Sequence, residues 1–235
     1  MPTGSPRGAR RAAPLALVLA LVVSAGGLGC SSVHSSATSV HATAAPTASS
    51  SSDPGATGLL IRAQETLAAE RSFRFDATET VTAKAATTTR VAGAVVRSQG
   101  VAYTLSVGHT TTQVVRLKTA TYVRKVPGRW AKLTRPRPVA DPVGSLAAIL
   151  TGLTDARVSE STTTVVGTLS ATAAKAAGIP TSSQPPQVTV TIDEAGHVTQ
   201  VTVHTVTQAG TSAVTVTLVT SYTAFDRVPA LRAPR

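Results

Sequence analysis

The side chains able to do chemistry in this chain are few: one cysteine, Cys30, and five histidines, His34, His41, His109, His197 and His204, among 235 residues. A thiol can serve as nucleophile, metal ligand or acylation site, and its neighbours decide which. Cys30 has no second cysteine to pair with, so the chain forms no internal disulfide. His34 and His41 share their segment with no acidic residue, and two imidazoles alone do not make a closed metal site. His109, His197 and His204 fall on expected turns or strands, with no nucleophile elbow, HExxH pair or separated carboxylate pair around them. Asp193-Glu194 is followed by Ala195-Gly196, which reads as a hairpin turn. No glycine-rich phosphate loop occurs. These patterns point away from an enzyme, and no cofactor or metal is expected.

The surroundings of Cys30 are more specific. Arg7, Arg10 and Arg11 precede an apolar run from Leu15 to Val23, the charge and length pattern of an export signal. The run is shorter than the ~20 apolar residues that a bilayer-spanning helix needs. It ends in Ser24-Ala25-Gly26-Gly27-Leu28-Gly29-Cys30, which resembles a bacterial lipobox, with Gly27 standing where such motifs carry an aliphatic residue. Cleavage before Cys30 would leave a thiol carrying diacylglycerol, the anchor to the outer face of the cell membrane. An ordinary secretory signal with a leftover cysteine is the alternative. Two acyl chains matter physically, because each buried CH₂ contributes roughly 0.8 kcal/mol and a single chain binds only marginally.

The expected organisation is a leader over residues 1–29, a lipidated cysteine and tether over 30–57, and a folded domain over 58–235. Twelve of the 22 residues from Ser31 to Ser52 are Ser or Thr and five are Ala, with no charge. Such a segment cannot bury enough surface to offset its ordering entropy and reads as a flexible tether. Arg supplies 17 of the 22 basic residues and Asn is absent, a bias of the kind a GC-rich genome writes.

The elements that must position any site follow from periodicity. Leu59 to Ala69 has helical spacing. Period-2 runs then cover Phe73 to Ala83, Thr88 to Arg97, Val101 to Val107, Thr111 to Lys118, Thr121 to Val126 and Arg129 to Leu133. Gly108-His109 and Pro127-Gly128 supply short turns, which favour antiparallel neighbours. Asp141-Pro142 caps a second helix, Val143 to Leu153. A strand from Arg157 to Leu169 and a short helix from Thr172 to Ala177 come next. Gln187 to Ile192, Val198 to Thr207 and Ser212 to Tyr222 end the chain as hairpins. The sum is an α+β domain of about ten antiparallel strands in one long sheet, with two main helices and one short helix over one face.

Alternation puts Val101, Tyr103 and Leu105 on one face of their strand, as it does Val188, Val190 and Ile192, and Val214, Val216 and Leu218. These residues either pack with Leu146, Ile149 and Leu150 of the second helix as a closed core or line a cavity beneath it. Charge is the other signal. The precursor carries +11, and loss of the three leader arginines leaves +8. No acidic residue lies between Thr80 and Ala140, where Arg116, Lys118, Arg124, Lys125, Arg129, Lys132, Arg135 and Arg137 crowd together. Such a tract either meets an anionic membrane or headgroup or forms a solvated face that keeps edge strands apart. Nucleic-acid binding is disfavoured, because export removes the partner and no recognition motif accompanies the charge.

Several local features agree with one known group. The first helix runs into Ser72-Phe73-Arg74-Phe75, and Tyr122-Val123-Arg124 precedes Gly128-Arg129-Trp130. Asp141-Pro142 opens the second helix, and Gly167 sits late in the next strand. Ile192-Asp193-Glu194-Ala195-Gly196-His197-Val198 forms a hairpin, and Tyr222-Thr223-Ala224-Phe225-Asp226 leads to Val228-Pro229 and Ala233-Pro234. In these features and in element order, Gly58 to Pro234 resembles the actinobacterial LppX/LprG-type lipoproteins. The resemblance implies a strongly curved LolA-like half-barrel whose concave face and helices enclose an apolar cavity. It further implies a carrier that binds an acylated lipid or glycolipid and helps move it through the cell envelope, with a membrane transporter as a candidate partner. A monomer is the default, and the motifs above make the chain non-catalytic. A lipoprotein that binds a protein partner as sensor or assembly factor, without cargo, is the alternative.

Overall fold

The computed structural model describes residues 52–234, apart from 84, 135–140, 160, 162, 181, 183 and 210–211. The leader, Cys30, His34, His41, the tether up to residue 51, and Arg135 and Arg137 lie outside the described residues.

Helix α1 spans Pro54–Ala69. Asp53 caps it, its carboxylate accepting from the Gly55 N–H at 2.9 Å, and Pro54 occupies the first turn, where its missing N–H costs nothing. The helix therefore begins earlier than apolar spacing from Leu59 implies, because cap and proline set the start. Ala56, Leu60, Ala63 and Leu67 form its buried stripe.

Six strands follow as a meander: β1 Ser72–Thr82, β2 Ala86–Val96, β3 Gly100–Val107, β4 Thr110–Leu117, β5 Thr121–Val126 and β6 Ala131–Lys132. Helix α2, Pro142–Gly152, is capped by Asp141 through the Gly144 N–H at 3.0 Å. Then come β7 Leu153–Val158, β8 Thr164–Leu169, helix α3 Ala171–Ala176, β9 Gln187–Ile192, β10 Val198–Ala209 and β11 Ser212–Thr223. All eleven strands form one antiparallel sheet in the order β6-β5-β4-β3-β2-β1-β11-β10-β9-β8-β7. The ends, β6 and β7, do not pair with each other, so the curved sheet stays open.

The single strand expected over Arg157 to Leu169 is two strands, and this raises the count from about ten to eleven. Ser159 donates to the Thr164 carbonyl at 2.8 Å and closes a tight turn between β7 and β8. Sequence reading misses it because the connection, residues 159–163, carries no Gly, Pro, Asn or Asp to mark a turn. β7 begins directly after α2, and Asp155, at φ 51, sits in a register shift that turns Ala156 inward.

One sheet face is apolar. Phe73, Phe75 and Ala77 of β1 line up with Val95 and Val91 of β2 and with Tyr222 of β11. α1, α2 and α3 pack onto this face in one continuous core, and the Gln64 amide donates to the Leu150 carbonyl at 3.0 Å to tie α1 to α2. Phe73 and Tyr222 meet edge to face at 5.7 Å. After β11 the chain crosses the opposite face. There Asp226 accepts from the Arg71 N–H at 2.6 Å, Val228 donates to the Ser72 hydroxyl at 3.3 Å, and Leu231 donates to the Gln99 side chain at 2.6 Å. At the other edge, Asp53 donates its N–H to the Ala156 carbonyl at 2.8 Å, so the residues leading into α1 run beside β7.

Gly93 holds the centre of the meander together by close approach. A Cβ there would lie 2.6 Å from the Tyr103 Cβ and 2.9 Å from the Phe75 ring, so only glycine lets these aromatics close over β2. Gly93→Val is expected to destabilise the domain by about 2 kcal/mol or more through overpacking, read as a lower urea midpoint at unchanged slope.

Candidate functional site

The residues expected on one apolar face do share it. Val101, Tyr103, Val188, Val190, Ile192, Val214 and Val216 are buried there, with Leu105 and Leu218 part-buried, and Leu146, Ile149 and Leu150 of α2 are buried with them. Val190, Ile192, Leu146 and Leu150 are packed within the core cluster. Val101 reaches an open cleft, and Val216 and Leu218 border a small void.

The cleft opens where β2, β3 and β4 meet the start of α2. It holds about 420 Å³, with Val95, Val101, Pro142 and Val143 among its walls and Arg97, Arg116 and Lys118 beside them. Register explains how the cations arrive there: Arg116 lies opposite Val101 and two residues from Val114, in the apolar phase of β4. Arg97, on the β2–β3 turn, is held by the Leu67 carbonyl near the end of α1, the favourable end of the helix dipole for a cation. The cleft's one carboxylate, Asp141, is occupied as the cap of α2. The result is a pocket with an apolar floor and three cations, a combination that suits a molecule with an apolar body and an anionic head.

The other expected contact residues go elsewhere. Arg124 points to the face opposite the helices, where it donates to the Gln113 side chain at 2.8 Å and lies 4.9 Å from the Trp130 ring centre. Lys125 and Arg129 are exposed near the β5–β6 turn, and Lys132 is exposed on edge strand β6. One run of sequence therefore becomes separate surfaces, because alternation and turns send neighbouring side chains apart. The Arg124 partners Gln113 and Trp130 border a wide groove of about 630 Å³ on the outer face, walled by Arg74, Asp76 and the crossing segment Val228–Arg232. Sequence reading missed this groove, whose second wall exists only because the C-terminal segment folds back.

Two of the three described histidines have structural partners, and His109 is exposed on the β3–β4 turn. His197 stacks on Phe225 at 4.3 Å and shares a contact of 3.1 Å with Asp193, inside the expected hairpin. His204 contacts the Thr217 hydroxyl at 3.1 Å. Among the described residues no group of three or more His, Cys, Asp or Glu side chains is placed to hold a metal ion, and no helix is long and apolar enough to cross a membrane.

Among the described residues, two carboxyls are buried. Glu79 occupies the apolar phase of β1 and is 2% exposed, and burial alone lifts its pKa to about 7. Glu70, which ends α1, is also lifted to about 7, mainly by burial, with nearby His197 opposing and Asp226 reinforcing the shift. Both start from an ordinary value of 4.5. The folded state thus binds protons that the unfolded chain has released, and stability present below that value is lost as pH rises through about 7. Urea unfolding at pH 5 and pH 8 is expected to show wild type weakening with pH. Glu79→Gln should remove its share of that slope, on the order of 2 kcal/mol; parallel behaviour of the two proteins would contradict the assignment.

No family model and no curated protein sequence matches this chain. Solved structures do. LprF from Mycobacterium bovis superposes with a TM-score of 0.52 at 12% identity, covering 78% of this chain and 99% of its own. The lipoprotein LppX from Mycobacterium tuberculosis gives a TM-score of 0.44 at 12% identity, covering 77% and 100% of the two chains. The LolA superfamily protein NE2245 from Nitrosomonas europaea gives 0.30 at 9% identity, over 75% and 94%. The resemblance drawn from sequence therefore holds at the level of fold: this chain adopts the open, helix-covered antiparallel sheet of LprF.

Proposed function

We propose that this protein is a cell-envelope lipoprotein, anchored through diacylglyceryl-Cys30, that binds an acylated lipid or glycolipid against the helix-covered face and assists its transfer. The observation that carries this reading is the cleft beside α2: Val95, Val101 and Val143 offer an apolar surface continuous with the core, and Arg97, Arg116 and Lys118 stand beside it. An acyl chain would enter along the valines while an anionic headgroup stays with the cations. Burial of apolar surface supplies the affinity, and the partly exposed charges supply orientation and encounter. The fold shared with LprF supports the reading at the coarser level of architecture. Lys125, Arg129 and Lys132, on a separate surface, are then free to meet anionic phospholipid while the cleft is occupied.

A second reading has its own observation. The outer groove, of about 630 Å³ and bordered by Trp130 and the C-terminal segment, offers a surface for a protein partner, as a sensor or assembly factor would need.

Native mass spectrometry and organic extraction of the protein from its own host should recover one lipid per chain. Arg116→Glu with Lys118→Glu should lower the recovered lipid several-fold without unfolding the domain, since both side chains are exposed. A protein recovered free of lipid, with an unchanged lipid profile in the double variant, would refute the carrier reading and favour the partner reading. Separately, Cys30→Ala should abolish acyl labelling and release the protein from the membrane fraction; retention of both would refute the anchor.

A further inference from the structure

Among the described residues three large apolar side chains are exposed: Ile61 on α1, Val206 on β10 and Val126 at the end of β5. Val126 differs from the others in its setting. Five consecutive residues there, Lys125-Val126-Pro127-Gly128-Arg129, are all exposed. Trp130 follows at the base of the loop, part-exposed, with the Arg124 guanidinium over its ring. Edge strand β6 is only two residues long and pairs with Tyr122 and Val123. Among the described residues no strand therefore lies on the far side of β5 from Arg124 to Val126. The loop is a free corner of the sheet, with cations on both sides of an apolar tip and Lys132 just behind.

Two uses of such a corner make different demands. Charges that keep sheet edges apart do so best without exposed apolar surface, and Val126 and Pro127 put that surface at the tip. Contact with anionic lipid uses both kinds of side chain. Apolar groups enter the boundary of the acyl region, cations stay among the headgroups, and a tryptophan sits at the interface between them. Nothing in the meander competes for the cations. It has only two carboxyls, Asp76 and Glu79; Asp76 is held by Arg90 at 3.0 Å, and Glu79 is buried.

We infer that the β5–β6 loop is a wedge that inserts Val126 and Pro127 into the interfacial layer of an anionic phospholipid bilayer, with Lys125, Arg129 and Lys132 on its headgroups. This rests on the reading of those cations as phospholipid-facing, and it specifies the apolar contact and the orientation that the contact fixes. Arg116 lies opposite Thr121, at the other end of β5 from Val126. The two ends are five residue steps apart, so the cations of the cleft stand about 17 Å farther from the bilayer when β5 rises from it. A docked protein thus holds its cleft away from the membrane that it rests on.

The test places a fluorescent label at either end of β5. In the full chain carrying Cys30→Ala no thiol remains. Val126→Cys at the tip, or Thr119→Cys on the exposed β4–β5 turn, then adds one site for an environment-sensitive fluorophore. The readout is local, so binding through the leader or tether does not register in it. With phosphatidylglycerol vesicles the tip label is expected to shift to shorter wavelength and brighten several-fold, while the turn label stays as in water. Phosphatidylcholine vesicles should leave both unchanged. Trp130, the chain's one tryptophan, should shift likewise in the unlabelled chain. Lys125→Glu with Arg129→Glu should raise the lipid needed for half the tip response about tenfold or more. A response at the turn and none at the tip would put the cleft end on the bilayer and overturn the inference. Responses at both sites, as in nonspecific adsorption, or at neither, as for a solvated edge, would overturn it too. None of these outcomes touches the carrier reading, which stands or falls on the lipid recovered from the host.

Discussion

The pairing of β1 with β11 joins the two halves of this molecule, and most of its features depend on that seam. The first six strands are a local meander and the last five return from the opposite direction, so without the register from Arg74↔Thr223 to Thr82↔Thr215 there would be two small sheets. Neither half would have a face wide enough for three helices. The seam also brings Phe73 beside Tyr222 and sets Glu79 against Leu218. It is a long-range contact, and such pairings form against the largest loop-closure entropy. A core made mostly of valine and alanine, with few aromatics, therefore relies on register more than on bulk.

Charge is distributed by the same geometry. Alternation places Arg116 and Arg124 on opposite faces of the sheet although they belong to adjacent strands. The first borders an apolar cleft; the second is engaged by Gln113 and Trp130 on the outer face. A basic stretch of sequence is thus several modest surfaces, each partly exposed. Screening at physiological salt weakens such charges beyond about 8 Å, so each surface acts on what touches it and not on the whole molecule's surroundings.

Much of the fold was legible because strand alternation and turn chemistry are local. The residues Val101, Tyr103 and Leu105 fell on the inner face as alternation required, and Asp141-Pro142 and Pro127-Gly128 marked real boundaries. The β7–β8 connection was hidden because it is written in Ser, Thr and Glu, with no Gly, Pro, Asn or Asp to mark it. The cleft was legible only in part: Arg116 could be placed among basic residues, yet its partners Arg97 and Val143 come from a distant turn and a helix. Glu79 left a signal that periodicity does carry, an acidic residue in the phase of Phe73, Phe75, Ala77 and Val81. The outer groove left none, since its wall is a C-terminal segment with no period of its own.

The capped entry into α1 has a mechanical consequence. Asp53 caps α1 and donates its backbone N–H to Ala156, while the Val158 N–H lies 3.4 Å from its carboxylate. Any pull arriving from the N-terminal side is thus taken first by one residue that clamps a helix end to the outermost strand. Load would peel β7 from β8 one bond at a time, as a zipper opens, before it reached the β1–β11 seam. The far edge, β6, lies ten strands away in the sheet order and bears none of that strain. The edge reached first by such a pull and the exposed basic rim at β5 and β6 are thus opposite rims of a single sheet.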